Sequence, residues 1–291
     1  MADALTPRHR WGSTELELAA MPASPPEGRE TLIRIRDLHR RFGPRHILRG
    51  VSLDVYKGET LVILGGSGSG KTTLLRHLMA MLRPEEGRIT VRGLGAGGGD
   101  LDMAQASEQQ IESYRRNLGV VFQGAALLNS LTVLENVGLP LIEVDRLPVD
   151  QVRSRVVEAL RRVYLPAEEI LNLKPAALSG GMRKRVGIAR AIIQKPRIIL
   201  YDEPTTGLDP VTVNGVNELT LDLQQKIGVT SIVITHDIGA AFMIADRIAL
   251  LYKGRIVACG SKDETRANEH PVLQQMLTGS TTGPLTEGYA K

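Results

Sequence analysis

A single cysteine, Cys259, among 291 residues leaves no second thiol for an internal disulfide and no thiolate set for a metal cluster. That scarcity suits a reducing compartment and a structural thiol, with the cytosol as the default. No stretch approaches the roughly 20 consecutive apolar residues that cross a bilayer as a helix. The opening segment MADALTPRHRWGSTELELAA has no continuous apolar core of the kind a secretory leader needs. Any work at a membrane is therefore expected through a partner that spans it. An excess of one charge is also missing, because 36 basic against 32 acidic residues leave a formal net charge of only +4. The basic residues are scattered, which speaks against nucleic acid as a partner.

What is present is an ordinary globular composition, 42% apolar and 23% charged, enough for a sizeable core in one elaborated domain or two small ones. Residues 1–30, with Pro and Ser around PASPPEG, can continue neither a helix nor a strand and read as a mobile tail. The fold is expected to start near Thr31. Alternation in Leu32–Arg36 and Val51–Val55 predicts half-buried strands, whereas Leu61–Leu64 is a continuous apolar run of the kind buried on both faces. Further strands are expected at Arg88–Arg92, Val120–Phe122, Ile198–Leu200, Thr230–Ile234 and Arg247–Leu251, and the glycine tract Gly93–Asp100 reads as a flexible turn. Helical patterns follow Lys71 and cover Thr132–Val137, Asp150–Val163, Ser179–Gln194, Pro210–Lys226 and Asp237–Ala245. Strand alternating with helix predicts an α/β fold with a mostly parallel sheet covered on both faces, preceded by an antiparallel layer and interrupted by a helical insertion.

The segment LGGSGSGKTT, Leu64–Thr73, sits between an apolar strand and a helical run, the setting a phosphate-binding loop requires. Gly66, Gly68 and Gly70 would leave backbone amides free to converge on a polyphosphate at a helix N-terminus, where the dipole favours anions. Lys71 would reach the outer phosphates and the Thr72 hydroxyl would hold Mg²⁺. Gly65, Ser67, Ser69 and Thr73 complete the candidate nucleotide-binding set.

Asp202 and Glu203 end a second apolar strand, at the sheet edge where ligands bind in open parallel sheets. Asp202 could reach Mg²⁺, and Glu203 could take a proton from an attacking water. His236 ends another apolar strand and should join them on that edge, facing the outermost phosphate. Gln123 follows Val120–Phe122, and its amide can both ligate a metal and orient water. Ser179, Gly180 and Gly181 open a helix after Leu178, so a hydroxyl and two glycine amides there form a second anion site.

Together these residues resemble the ATP-binding-cassette (ABC) ATPases over about Thr31–Gly260. GGSGSGKTT looks like the family's Walker A loop, Gln123 its Q-loop, LSGGM its signature, IILYDEP its Walker B strand, Thr206–Asp209 its D-loop and His236 its switch histidine. The resemblance implies MgATP as ligand, an adenine-stacking role for Phe42, and a nucleotide-contacting role for Asp209. It also explains the second anion site: two copies sandwich two ATP molecules head to tail, with Ser179 and Gly181 of one facing the phosphate held by Lys71 of the other. Met182 stands where the family usually has Gln, which removes a polar contact worth ~0.5–1.5 kcal/mol while leaving the Ser179 hydroxyl and glycine amides in place.

Met182, the stretch FQGAALLNSLTVLENVGLPL and the tail QQMLTGSTTGPLTEGYA narrow the resemblance to the ATPases of Mla-type phospholipid transporters. That implies a membrane permease, an MCE-domain substrate-binding protein and a small cytoplasmic accessory subunit as partners, at the cytoplasmic face of a bacterial inner membrane. The expected divisions are a tail at 1–30, an ATPase domain at 31–268 with a helical subdomain near 124–178, and an extension at 269–291 that contacts the neighbouring copy, with Gly283, Pro284 and Tyr289 at matching positions. An ABC transporter for another substrate is the nearest alternative. A soluble relative acting on DNA or the ribosome would carry a long coiled coil or a second cassette, and the sequence has neither sustained heptads nor a repeated Walker pair. A purely regulatory ATP-binding module would have no need of Glu203 and His236.

Overall fold

The computed structural model describes residues 28–286; most of the expected N-terminal tail, and Tyr289, lie outside the described residues. Two long strands open the fold, β1 (Thr31–Phe42) and β2 (Arg45–Tyr56), joined at Gly43-Pro44. Gly43 has φ 55°, a left-handed turn conformation that glycine enters freely. Then β3 (Thr60–Leu64) leads through the glycine loop into α1 (Lys71–Leu78), followed by β4 (Glu86–Val91), β5 (Leu101–Asp102), α2 (Glu108–Arg116) and β6 (Leu118–Val121). Four helices come next: α3 (Val133–Glu143), α4 (Val149–Arg162), the single turn α5 (Ala167–Ile170) and α6 (Gly180–Ile192). The chain finishes with β7 (Ile198–Asp202), α7 (Pro210–Ile227), β8 (Thr230–Thr235), α8 (Ile238–Ile244), β9 (Arg247–Tyr252), β10 (Arg255–Ser261), α9 (Lys262–Ala267) and α10 (Pro271–Thr278).

The strands form two sheets. One is four-stranded, ordered β2-β1-β4-β5 and antiparallel throughout. The other is six-stranded, ordered β10-β9-β3-β8-β7-β6 and parallel except for β10. Side chains alternate across a strand, and here the two faces feed two separate cores. Leu61, Ile63, Ile198, Leu200, Ile232 and Ile234 pack with the antiparallel sheet, α1 and α2. Val62, Leu64, Ile199, Tyr201 and Val233 pack with α3, α4, α6 and α7. The central strands therefore have to be apolar without interruption, which is how they read in the sequence.

Local signals set the helix boundaries. Ser107 with Gln110, Thr132 with Glu135, and Ser261 with Glu264 make reciprocal capping boxes at α2, α3 and α9. Asp209 caps α7, Pro210 is its first residue, and Gly228 ends it at φ 68°. Buried Asn136 donates to the carbonyls of Leu128, Leu131 and Thr132 and accepts from the Leu128 amide. That closes the loop in front of α3.

Some expectations shift in detail. The glycine tract is not a plain flexible turn: it contains a short 3-10 turn at Ala96–Gly98, closed by Gly95 N–H donating to Gly99 O at 2.7 Å, and it delivers β5 to the sheet edge. Phe122 falls just outside β6. Helical structure continues past 178 through α6, whose apolar residues join the same core as α3 and α4. In the C-terminal extension, Val272 and Leu273 are buried against this chain's own core. Gln275 accepts from Leu285 N–H and donates to Ser280 O and Thr286 Oγ1, and Tyr252 donates to Pro284 O. These contacts anchor the extension up to Thr286 on its own chain, ahead of Tyr289, one of the positions expected to meet the neighbouring copy.

One buried ionic cluster ties the two sheets together. Arg247 on β9 donates to Glu59 Oε1 at 3.0 Å and to Asp54 O at 3.1 Å, lies over the Tyr56 ring at 4.5 Å, and meets Cys259 Sγ at 3.0 Å. Burial raises the Glu59 carboxyl above its ordinary pKa, partly opposed by Arg247, and pushes the Cys259 thiol up. Removing one member of a buried pair strands the other's charge. Arg247→Met should therefore cost ~3 kcal/mol at neutral pH, read from the denaturant midpoint. A carboxyl whose folded pKa is raised favours folding when protonated, so its penalty grows as pH rises from its unfolded toward its folded value. The loss in Arg247→Met should accordingly be smaller at pH 5 than at pH 8, and equal losses would contradict this account.

Candidate active site

Register places the site. Leu64 of β3 pairs with Thr235 of β8, and Ile234 of β8 with Asp202 of β7, so three neighbouring parallel strands end in one row. The residues that follow each end (the glycine loop, His236 and Glu203) therefore leave the sheet on the same edge. Val121 of β6 pairs with Tyr201, which brings Gln123 to that edge from the outer strand.

In the glycine loop the glycines serve two different needs. A Cβ on Gly66 or Gly68 would meet nothing, so the space above their backbone is open for a ligand. Gly65 and Gly70 are instead required from behind: a Cβ would strike Leu251 O and Ser69 Oγ at the first, and Leu48 at 2.9 Å at the second, where φ is 109°. Lys71 Nζ folds back onto Gly65 O at 2.6 Å and Gly66 O at 3.1 Å. Burial lowers its pKa while Glu203 and Asp202 oppose the shift. Thr72 is exposed at the mouth of the loop, Thr73 O accepts from His77, and the buried Ser69 hydroxyl has no hydrogen-bond partner among the described residues. An open cradle, a cation satisfied only by loop carbonyls and a free hydroxyl at a helix start fit a magnesium–polyphosphate group.

Two carboxyls stand opposite. Burial raises the pKa of Asp202, and the charge of Glu203 adds to the rise; a bound divalent cation would reverse that. Glu203 adopts φ 47°, a conformation non-glycine residues rarely hold and one that costs about 1–3 kcal/mol. It is fixed there by its amide donating to Ile234 O at 2.9 Å. Its Oε2 accepts from Thr206 Oγ1 at 3.2 Å and Thr235 Oγ1 at 3.4 Å and contacts His236 Nδ1 at 2.8 Å. Oε1 carries no such bond among the described residues. His236 thus comes together with Glu203, as its strand position implied, while its exposed ring stays at the edge.

The signature turn lies apart from this group. Ser179 caps α6, its Oγ accepting from Met182 N–H at 3.2 Å, and Gly181 lies where a Cβ would strike Thr212 Cγ2 at 2.7 Å. Asp209 is engaged with Val211 and Thr212 of α7, and those hydrogen bonds lower its pKa. No hydrogen bond among the described residues joins Ser179, Gly180 or Gly181 to Lys71, Asp202 or Glu203. Phe42 ends β1 with its side chain exposed and the Arg40 guanidinium 4.8 Å from its ring centroid. Missed from the sequence were the hold of Thr206, read there only as the first D-loop residue, and of Thr235 on Glu203, and Lys184, whose amine donates to the Gln123 carbonyl. The signal for Lys184 was a cation on the buried stripe of an amphipathic helix.

Comparison with known proteins identifies the class. Residues 48–206 match the family described as ABC transporter, and the chain belongs to that family of ATP-binding proteins. It is 35% identical over 87% of its length to the probable ribonucleotide transport ATP-binding protein mkl of Mycobacterium leprae, covering 70% of that protein. It is 36% identical over 88% of its length to the chloroplastic protein trigalactosyldiacylglycerol 3 of Arabidopsis thaliana, covering 76% of it. A methionine import ATP-binding protein, MetN, of Rhizobium johnstonii is 40% identical over 86% of this chain and is 66% covered. Among solved structures, a dimeric ATP-binding cassette in a post-hydrolysis state bound to ADP and Pi superposes with TM-score 0.69 at 33% identity, over 79% of this chain and 99% of that one. The chain is an ABC ATPase that binds ATP with Mg²⁺ and hydrolyses it in step with transport, and such cassettes act as dimers with a membrane permease.

If Lys71 holds the outer phosphates, Lys71→Ala removes charge-assisted bonds worth ~1.5–3 kcal/mol. Nucleotide affinity should fall on the order of 10- to 100-fold by equilibrium titration, and unchanged affinity would contradict the assignment.

Proposed function

We propose that this chain is the ATPase subunit of a transporter that moves phospholipid between membranes, working as a head-to-tail dimer on a membrane permease. The supporting observation is the extended similarity to a protein named for a galactolipid, combined with Met182 in the LSGGM turn. Partners of this reading are an MCE-domain substrate-binding protein and a small cytoplasmic accessory subunit, with the subunit peripheral at the cytoplasmic face of a bacterial inner membrane. No described helix is long and apolar enough to cross a membrane, so the permease would supply the spans.

In this reading the open amides of Gly66 and Gly68, with Lys71, cradle the phosphates, and Phe42 stacks on adenine. Thr72, Gln123 and Asp202 would hold Mg²⁺, which would supply positive charge to offset that of the transferred phosphoryl group. Glu203 accepts the proton of the attacking water. Three bonds fix its Oε2, which leaves Oε1 for that task. His236 orients Glu203 here and meets the outer phosphate when nucleotide is bound. In this reading the second copy brings its phosphate to Ser179 and Gly181, with Thr212 of α7, which donates to Asp209, packed behind Gly181. Closure is driven by ATP only to the extent that it binds the closed dimer better than the open one. The helices between Gln123 and Ser179 would carry that movement to the permease.

A second reading, an ATPase serving another substrate such as methionine, is favoured by the identity to MetN. Affinity purification from native membranes with identification of co-purifying proteins and lipids separates the two. An MCE-domain partner and phospholipid support the first, whereas an amino-acid permease overturns it. For the chemistry, Glu203→Gln should retain MgATP binding, lose turnover by about 100-fold or more, and accumulate as a dimer on size-exclusion chromatography in MgATP. Undiminished turnover would remove Glu203 from the role of base.

A further inference from the structure

The helix that begins at Ser179 carries four cations, none with an acidic partner among the described residues, and two of them, Lys184 and Arg190, turn onto the loop that follows β6. Lys184 is 6% exposed, and its amine donates to the Gln123 carbonyl. Two turns on, Arg190 donates to Ala126 O at 2.7 Å and to Ala125 O at 2.7 Å. Between them Gly187 faces the same loop, and a Cβ there would lie 3.2 Å from Ala125 Cβ. Positions 184, 187 and 190 fall on one face of a helix, so α6 lays a cation–glycine–cation stripe along Gln123–Ala126.

Within the loop Ala125 N–H donates to Phe122 O at 2.9 Å, yet two of its residues are strained. Ala125 and Ala126 adopt φ 60° and 47°, left-handed conformations that only glycine enters freely. Buried cations normally meet carboxylates, because desolvating a charge without compensation is unfavourable. Here Lys184, which is buried, and Arg190, which is half-buried, are compensated by backbone carbonyls, and desolvation lowers the pKa of each. The three carbonyls they take belong to Gln123 and the two strained alanines.

We infer that Lys184 and Arg190 are positioning residues that strap the Gln123 loop to α6, so that Gln123 and Ser179 move as one rigid body. Ser179 caps the helix five residues before Lys184, and no proline interrupts the hydrogen-bonded turns between Ser179 and Arg190. When a second copy's nucleotide engages Ser179, the strap carries Gln123 with it, and the metal-binding geometry of one site responds to occupation of the other. The inference rests on the nucleotide roles proposed for Gln123 and Ser179.

Hydrogen exchange of the full chain in the Glu203→Gln background tests it. MgATP should slow amide exchange both at 123–127 and at 179–182. Adding Lys184→Met, which keeps length and removes the donor, should leave protection at 179–182 within threefold while exchange at 123–127 speeds up at least tenfold. Arg190→Gln should do the same and serves if the first variant does not fold, and Lys184→Arg should restore protection. In the parent chain Lys184→Met should lower kcat with little change in KM for ATP. Unchanged MgATP protection at 123–127 in both folded variants would overturn the strap. Absence of protection at both segments before either change would overturn the nucleotide roles themselves.

Discussion

Everything at this site depends on three neighbouring strands ending level. β3, β8 and β7 run parallel with Leu64, Thr235 and Asp202 at their ends, and hydrogen bonding across the ladder makes that alignment rigid. The phosphate loop, the histidine and the carboxylates are thereby delivered to one edge without any of them having to reach. Positions set by a ladder are held more closely than positions on free loops, which phosphoryl transfer needs because most of its catalysis is placement and charge stabilisation.

The strands and their motifs were legible because burial on both faces demands unbroken apolar runs, and glycine, lysine and carboxylate at the ends of such runs have few other uses. The start of α6 was legible through Ser179, whose cap is local, whereas the cap that Asp209 gives α7 emerged only in the fold. Hidden were features that depend on distant neighbours: Gly65 and Gly70 look like their loop companions but are demanded by Leu251 and Leu48 behind the loop. The same holds for Glu203, whose strained backbone and three-fold hold on Oε2 come from Ile234, Thr206, Thr235 and His236. A sequence shows which residue types are present; only the fold shows which carbonyl a buried lysine faces.

Helix α6 is where these two kinds of information meet. Its first turn is a readable motif, and its remaining length reads as an unremarkable amphipathic run. Its inward stripe nevertheless lies against the loop that leaves β6. A single rigid element thus has one end prepared for an outside molecule and one flank committed to its own chain.

The six-stranded sheet also separates two apolar interiors that share no side chain: α1 packs into one, and α3, α4 and α6 into the other. Amino-acid replacements that remodel the outer helices are felt in one interior while the fuel-binding helix rests in its neighbour. Such partitioning lets the packing around α3 and α4 change without altering the interior on which the helix after the phosphate loop rests.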